Sequence, residues 1–143
     1  MKTSLNWLSD FVKLPWAPRE LSQRLTSAGL EVESIEEVGK IPDGVVVAEI
    51  LERRKHENSD HLSVCMVSTG SGEPLQVVCG APNCDAGQKA ALACIGCDLG
   101  GGFVIKKSKL RGVESYGMLC ASDELGLDDD HSGIMILPPE TPL

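Results

Sequence analysis

The residues from Val45 to Val67 read VVVAEILERRKHENSDHLSVCMV, and they decide the fold class. Two runs rich in β-branched and apolar residues, Val45 to Leu51 and Leu62 to Val67, flank a polar segment with turn-forming residues, which predicts two strands joined by a loop. Comparable short runs follow at residues 75–79, 89–94, 103–105 and 134–137. About five short strands with few helical stretches favour a small closed barrel or a sandwich over an α/β sheet, and we prefer the barrel.

The beginning of the chain has a helical period instead. Apolar residues recur at helical spacing from Leu5 to Val12, and Ser4 is a suitable N-cap for this short helix. A second helix is expected to begin at Pro18, which suits a first helical position, and to end at Gly29.

Residues 30–38 predict an exposed strand that leads into a connector at residues 39–44. Four glutamates separate or flank its apolar residues. These apolar residues are Leu30, Val32, Ile35 and Val38. The region of residues 1–38 has too little apolar surface to stand alone as a domain. It could pack on the rest of this chain, on a second copy, or on sequence that this chain lacks.

The composition is that of a globular chain with an acidic balance. The 143 residues are 42% hydrophobic, which is enough to bury a core, and the formal net charge of −8 argues against a general polyanion binder. No run approaches the roughly 20 apolar residues that span a bilayer, and the N-terminus lacks a signal-peptide core. We therefore expect a cytoplasmic protein without membrane association and with reduced thiols.

The charges are unevenly distributed along the chain. From Ala86 to Val113 five basic residues stand against one acid, whereas from Glu114 to Leu143 there are seven acids and no lysine or arginine. A local electropositive strip on an otherwise repulsive surface favours selective over promiscuous anion binding. Ordinary surface solvation is the alternative that charge alone leaves open.

The segment KKSKLRGVESYGMLCAS, residues 106–122, has four basic side chains within six residues. They are Lys106, Lys107, Lys109 and Arg111. In an extended strand these side chains can present several donors to a phosphate backbone, and Arg111 offers a planar fork that suits phosphate. The hydroxyl of Ser115 can bond a phosphate or ribose oxygen. The alternative is a solvated edge strand that lysines protect from further pairing.

A second basic group, Arg53, Arg54 and Lys55, ends the first predicted strand. Arg53 and Lys55 are candidates to extend the electropositive strip and to contact RNA. Glu49 and Glu52 stand close enough in sequence to neutralise them, so a solvated strand end is the alternative interpretation.

Other potential sites have weaker signals. Cys94 and Cys97 form a C-x-x-C pair, but no second pair and no βαβ setting accompany it, so we favour buried, inert thiols over a zinc site. Asp128 to His131 lacks the pattern of a calcium loop and is expected to be a solvated loop. Gly100 to Gly102 is expected to form a hairpin turn. We expect no catalytic and no metal-binding residue in this chain.

Several segments resemble one known family. Residues 106–122 resemble the tRNA-binding domain found in the β subunit of bacterial phenylalanyl-tRNA synthetase, and more loosely in free-standing tRNA-binding proteins and some methionyl-tRNA synthetases. HENSDHLSVCMV, VCGAPN and GLDDDHSGIMILP, which begin at residues 56, 78 and 126, resemble further parts of this domain. The opening MKTSLNWLSDFVKLP and AGLEVESIE at residues 28–36 resemble the start of that β subunit, which free-standing relatives generally lack.

The resemblance implies a five-stranded barrel of the oligonucleotide-binding type, residues 39–143, inserted into an N-terminal α/β domain whose first half is residues 1–38. It also implies a longer subunit that joins an α subunit in an α2β2 enzyme, which uses ATP and magnesium to charge tRNA with phenylalanine. In the family the aminoacylation site belongs to the α subunit, and a later β domain edits mischarged tyrosine. This chain is therefore expected to be non-catalytic by itself, with no cofactor of its own.

A few positions depart from the family pattern. Glu57 stands where the turn usually has a proline after its histidine, and His61 stands where a lysine is usual, which weakens one phosphate contact because neutral histidine carries no charge. Tyr116 stands where polar residues are common and is a candidate to stack on an exposed base or ribose. Phe103 is expected in the core, with RNA stacking as its alternative role.

Two functions are consistent with the sequence. The leading hypothesis is an RNA-binding module of an aminoacyl-tRNA synthetase that holds tRNA by shape and phosphate contacts. The alternative is a subunit-organising protein interaction module with little RNA affinity, which the acidic total favours.

Overall fold

The structure is a computed structural model that describes residues 2–37 and 39–143. In these residues two helices precede eight short strands. The elements are α1 (Leu5–Ser9), α2 (Pro18–Ser27), β1 (Val45–Lys55), β2 (Ser63–Ser68), β3 (Leu75–Cys79), β4 (Lys89–Cys94), β5 (Ser108–Leu110), β6 (Val113–Ser115), β7 (Gly117–Leu119) and β8 (Ile136–Leu137). The chain divides into two compact units, residues 1–38 and 39–143. Neither helix is long and apolar enough to cross a membrane.

The first unit contains both helices where the sequence predicts them. The Ser4 hydroxyl caps α1 by accepting a hydrogen bond from the Trp7 amide at 3.4 Å, and Pro18 opens α2. Gly29, with φ of 89°, lies just beyond the C-terminus of α2. The strand predicted from Leu30 is wrong for residues 30–37, which form neither helix nor strand, since no neighbouring strand of the unit pairs with them. Val38, the last residue of that prediction, lies outside the described residues.

The second unit is built around β1. Residues 45–49 of β1 pair antiparallel with β4, and residues 49–55 pair antiparallel with β2. The pairing register shifts between Ile50 and Glu52, which marks a β-bulge at the point where β1 passes from one partner to the other. Alternate residues Ala48 and Ile50 are fully buried, as expected for a strand with one face toward a core.

The remaining strands close the sheet into a nearly complete barrel. β2 pairs with β3, and β4 pairs with β7. At the open edge the Tyr116 amide, between β6 and β7, donates to the Gln76 carbonyl of β3 at 2.9 Å. The order β1, β2, β3, β7, β4 and back to β1 is that of a five-stranded barrel, so the predicted mainly β barrel is confirmed.

Two predicted strands near the C-terminal end differ from the structure. Residues 103–105 form no strand, because their pairing across the Gly100–Gly102 turn is limited to an isolated bridge between Asp98 and Val104. The strand predicted at residues 134–137 is shorter and is limited to β8, which pairs with the start of β4.

The core has two layers, which share β4. Ala90 and Leu92 face the barrel interior, whereas Ala91 and Ala93 face an outer cluster that covers the strand from outside. Burial on both faces explains why β4 reads as a continuous apolar run instead of an alternating one. All six cysteines are free thiols, five of them buried, and burial raises the pKa of Cys120 to about 12. Within the described residues, most of the cysteines therefore serve as small core residues, as the sequence predicts.

Candidate nucleic-acid interface

The basic segment forms a β-hairpin, which we call the basic hairpin (residues 106–115). β5 and β6 pair antiparallel with Leu110 opposite Val113, so Arg111 and Gly112 form a two-residue turn. Their φ values of 47° and 94° are both positive, as the tightest hairpin turns require. Among the described residues Arg111 is the only one other than glycine with a positive φ. The turn therefore places the Arg111 side chain at the tip of the hairpin.

One basic side chain of the hairpin is held by a neighbouring acid. Lys107 Nζ lies 2.9 Å from Glu114 Oε1 and 4.9 Å from the centroid of the Tyr116 ring. The Tyr116 hydroxyl donates to Glu114 Oε2 at 2.6 Å. The hydrogen bond from Tyr116, together with that from Lys107, holds the pKa of Glu114 below its ordinary value. The charge of Lys107 is thus partly neutralised. Tyr116 is half-buried, and it contacts Lys107 and Glu114.

Two other lysines of the hairpin project into solvent. Lys106 and Lys109 are exposed, and neither forms an ion pair within 4 Å in the described part of the chain. Lys109 stands opposite Glu114 on the neighbouring strand, but Glu114 is already bonded to Lys107 and Tyr116. Both lysines are therefore available to contact an anion, although Lys109 also lies in the field of Glu114.

Ser115 does not lie on this surface. It is 1% exposed, and its hydroxyl accepts from the Val78 amide at 3.0 Å and donates to the Gly117 carbonyl at 2.9 Å. The hydroxyl joins β3 to the bend between β6 and β7, where the barrel closes. The structure therefore gives Ser115 a structural role in place of the predicted phosphate contact, because the side chain has no free hydrogen-bonding capacity at the surface.

The loop between β1 and β2 lies beside the tip of the basic hairpin, and we call it the His56 turn (residues 56–62). Arg111 Nη1 donates to the Asn58 carbonyl at 3.2 Å. Inside the turn, His56 is 2% exposed, and its Nε2 lies 3.0 Å from the Leu110 carbonyl. The sequence gives no local signal that a histidine within this polar run is buried.

Arg53 and Lys55 line a cleft of about 540 Å³ beside the same turn. Arg53 Nε donates to the Ser63 hydroxyl at 3.0 Å and a guanidinium nitrogen lies 4.0 Å from Asp85, while Lys55 forms an ion pair with Asp60 at 2.7 Å. Within this group, Arg53 and Lys55 thus have acidic neighbours, but these are not the predicted ones. They are Asp60 and Asp85 instead of Glu49 and Glu52.

The two basic groups are brought together by the His56 turn. A second hollow, of about 390 Å³, is lined by Arg111 and by residues 57–61 of the turn. Asp60 and His61 line both hollows, so the hairpin tip and the cleft of Arg53 and Lys55 adjoin across one turn. The arrangement offers cationic donors on both sides of a shallow polar surface, which suits contacts to phosphates along a backbone.

Several other candidate residues lie apart from this arrangement or make no site. Phe103 is 58% exposed, so its prediction as a core residue is wrong, because the glycine turn carries it outward. Asp128 to His131 form an exposed loop. Across residues 2–37 and 39–143, no group of three or more histidine, cysteine or acidic side chains is placed to hold a metal ion.

Residues 45–143 match the family described as "Putative tRNA binding domain". The chain belongs to this tRNA-binding domain family. The matched segment begins with β1 and contains the whole barrel, the His56 turn and the basic hairpin. The family assignment therefore covers every candidate RNA-binding residue named above.

Relatives of this tRNA-binding domain protein extend the match to the whole chain. It is 52% identical over 143 residues to the phenylalanine–tRNA ligase beta subunit of Syntrophus aciditrophicus, covering 100% of this chain and 18% of that protein. It is 54% identical over 141 residues to the corresponding subunit of Anaeromyxobacter dehalogenans, covering 99% of this chain and 18% of the relative. The resemblance to this β subunit is thereby confirmed, and the chain spans about a fifth of the relatives' length.

A solved structure supports the fold of this tRNA-binding domain. The crystal structure of a MetRS related protein from Pyrococcus horikoshii superposes with a TM-score of 0.50 at 22% identity. The match covers 76% of this chain and 94% of that protein. At this level of identity the comparison establishes a shared barrel fold.

Two structurally important residues of the domain escape sequence reasoning. One is His56. The other is Asn83, whose side-chain amide donates to the Ile134 carbonyl and whose amide oxygen accepts from the Ile134 amide, both at 2.9 Å. The segment VCGAPN signals that Asn83 belongs to a motif, but only the structure shows that it fastens the C-terminal segment to the barrel.

Proposed function

We propose that this chain is a tRNA-binding accessory region of a phenylalanyl-tRNA synthetase β subunit. The observation that carries the proposal is the basic hairpin, with Arg111 at its tip, in a domain of the tRNA-binding domain family. The chain holds tRNA through phosphate contacts from Lys106, Lys109 and Arg111. Affinity then depends on salt, because each neutralised phosphate releases counterions.

The cleft of Arg53 and Lys55, on the other side of the His56 turn, completes the proposed surface. Arg53 and Lys55 contribute when a phosphate replaces Asp85 and Asp60 as their partner. Such a replacement costs little, because an exposed ion pair is worth at most about 1 kcal/mol. Lys107 and Tyr116 contribute mainly by shaping the hairpin through Glu114. Because the surface presents few groups suited to read bases, we assign it positioning and not sequence specificity.

The role of the whole protein belongs to the same proposal. We infer that the subunit pairs with a synthetase α subunit in a cytoplasmic α2β2 enzyme. The inference is supported by the relatives of this chain, which are phenylalanine–tRNA ligase beta subunits. ATP and magnesium serve that enzyme, and the described residues of this chain offer no cluster of ligands fitted to the metal. Under this proposal the region supports the attachment of phenylalanine to tRNA, and the catalytic site lies elsewhere in the enzyme.

The proposal is tested by measuring tRNA binding across a salt series, with DNA of equal length as a competitor. Reversing the charges of Lys106, Lys109 and Arg111 to glutamate should lower tRNA affinity. It should also reduce the slope of log affinity against log salt by about three, roughly one for each phosphate that the variant no longer neutralises. The Lys107→Glu variant should have a smaller effect than Lys109→Glu, because Lys107 is already paired with Glu114.

A matched control separates local contacts from net charge. Reversal of Lys2, Lys13 and Arg19, which lie in the first unit, changes the net charge by the same amount and should leave the salt slope unchanged. Equal losses of affinity in both triple variants would show that overall charge, and not the basic hairpin, governs binding. If the unaltered protein binds no tRNA at any salt concentration, the protein interaction module becomes the better hypothesis.

A further inference from the structure

The hydrogen bonds of His56 assign a tautomer to its ring. The Asn58 amide lies 3.0 Å from His56 Nδ1, and an amide can only donate, so Nδ1 is the acceptor. The remaining ring proton of neutral histidine then sits on Nε2, which donates to the Leu110 carbonyl at 3.0 Å. Each ring nitrogen therefore has one partner, one in the His56 turn and the other at the end of β5.

The backbone of His56 is engaged as fully as its ring. Its amide donates to the Leu62 carbonyl at 3.0 Å, which closes the His56 turn, and its carbonyl accepts from the Ser59 amide at 3.4 Å. His56 is thus fixed by the turn that it closes. Of the hydrogen bonds that His56 forms with described residues, the one from Nε2 leaves the turn and reaches Leu110, the residue directly before Arg111 in the basic hairpin.

We propose that His56 is a positioning residue for RNA binding, which holds the tip of the basic hairpin against the His56 turn. This inference rests on the proposed function. Leu110 is 39% exposed, so the strand end carries little apolar packing of its own at this point. Arg111 adds a second link by donating to Asn58. The hairpin tip is therefore held to the turn mainly by two hydrogen bonds, of which the His56 bond is partly buried and the Arg111 bond is exposed.

The consequence concerns the entropy of binding. A short hairpin with an exposed tip samples several orientations unless it is fastened, and a phosphate contact must then compensate for ordering it. His56 supplies this ordering in the free protein. Removal of the bond should thus weaken the Arg111 contact even though His56 itself touches no RNA.

Two substitutions separate the two ring bonds. Glutamine places an amide nitrogen at the distance of Nε2 from the backbone, so His56→Gln keeps a donor for Leu110. Asparagine places its oxygen at the distance of Nδ1, so His56→Asn keeps the acceptor for the Asn58 amide but loses the bond to the hairpin. His56→Leu loses both bonds. His131→Leu, at an exposed histidine of the acidic loop, is the matched control.

The test measures tRNA affinity and its salt slope for these variants, after circular dichroism has shown that each is folded. We expect His56→Leu and His56→Asn to lose affinity by about fivefold and to lower the salt slope by about one, the same effect that we expect of Arg111→Ala. His56→Gln should stay close to the unaltered protein, and His131→Leu should match it. Adding Arg111→Ala to His56→Leu should produce little further loss of affinity, because both changes remove the same interaction.

Some outcomes would overturn the inference. A folded His56→Leu or His56→Asn protein with unchanged affinity and slope would do so, and so would full additivity with Arg111→Ala. If His56→Leu fails to fold, the comparison of the glutamine and asparagine variants decides, and equal losses of affinity in both would refute the positioning role.

A measurement without RNA distinguishes this failure from failure of the proposed function. Hydrogen exchange of the amides in residues 108–115 should be faster by about tenfold in His56→Asn than in His56→Gln, since the hairpin opens locally. If the unaltered protein binds no tRNA, the proposed function fails, and equal exchange in the two variants would additionally reject the role of His56 in holding the hairpin.

Discussion

The hydroxyl of Ser115 closes the barrel, and its removal should cost stability and not RNA affinity. In Ser115→Ala, the Val78 amide and the Gly117 carbonyl lose a partner at a position that is 1% exposed. Each hydrogen-bonding group left buried without a partner costs about 1–3 kcal/mol. Because the Gly117 carbonyl is nearer to solvent than the Val78 amide, we expect a total loss of about 2–4 kcal/mol, a large part of the stability of a small domain.

The assay is urea unfolding followed by far-ultraviolet circular dichroism, which reports on the strands. Both tryptophans, Trp7 and Trp16, belong to the first unit, so the barrel has no tryptophan of its own to report its unfolding. Ser108→Ala is the matched control, because Ser108 stands directly opposite Ser115 in the basic hairpin but is exposed, and it should change stability by less than about 0.5 kcal/mol. A Ser115→Ala protein of unchanged stability with weakened tRNA binding would refute this reasoning and restore Ser115 as a phosphate contact.

Four further predictions concern single side chains and their hydrogen bonds, burial or backbone conformation. Tyr116→Phe removes the hydrogen bond that most lowers the pKa of Glu114, so an NMR titration should show this pKa rising toward its ordinary value; an unchanged pKa would contradict the assigned network. In the unaltered protein, this carboxylate stabilises the hairpin above the ordinary glutamate pKa, and the contribution should disappear as the pH falls through the lowered value. A thiol reagent should label at most Cys94 in the native protein and all six cysteines after unfolding, because the other five are buried; rapid labelling of a second thiol would contradict this burial. Asn83→Leu should destabilise the barrel by about 2–4 kcal/mol in urea unfolding, because two backbone groups lose their partner, and a neutral result would show that Asn83 does not fasten the C-terminal segment. Gly112→Val should destabilise the basic hairpin and speed its hydrogen exchange, because a β-branched residue is strained at a φ of 94°, and unchanged exchange would argue against the tight turn.

The sequence predicts the elements whose signals are local. The bounds of β3 and β4 agree with the predicted runs, and the Ser4 cap and the start of α2 at Pro18 are confirmed, because these features depend on neighbouring residues alone. The strand predicted at residues 30–37 has the right composition but no partner in its unit. Whether an apolar run becomes a strand depends on pairing across the chain, which its own residues do not encode.

The candidate site is predictable in its charges but not in its geometry. The four basic residues of the basic hairpin are visible in sequence, whereas the pairing of Lys107 with Glu114 depends on a register that two positive φ values determine. Ser115 stands between a glutamate and a tyrosine, and nothing in that neighbourhood signals burial. The burial of His56 is also not signalled by its neighbours in sequence, since its partner Leu110 lies 54 residues further along the chain. These contacts are long-range, so local propensity carries no information about them.

The positive φ of Arg111 has a consequence for how such a chain can be improved in the laboratory. An arginine at this turn position is strained by roughly 1 kcal/mol relative to asparagine or glycine, which adopt the conformation readily. Laboratory evolution for heat resistance alone should therefore replace Arg111, and Arg111→Asn should raise the melting temperature. Evolution for tRNA binding should instead retain the arginine, because the proposed function assigns it a phosphate contact. Selection for stability should thus favour asparagine or glycine at position 111, whereas selection for RNA binding should favour arginine. A library screened in both ways would show which property depends on the arginine.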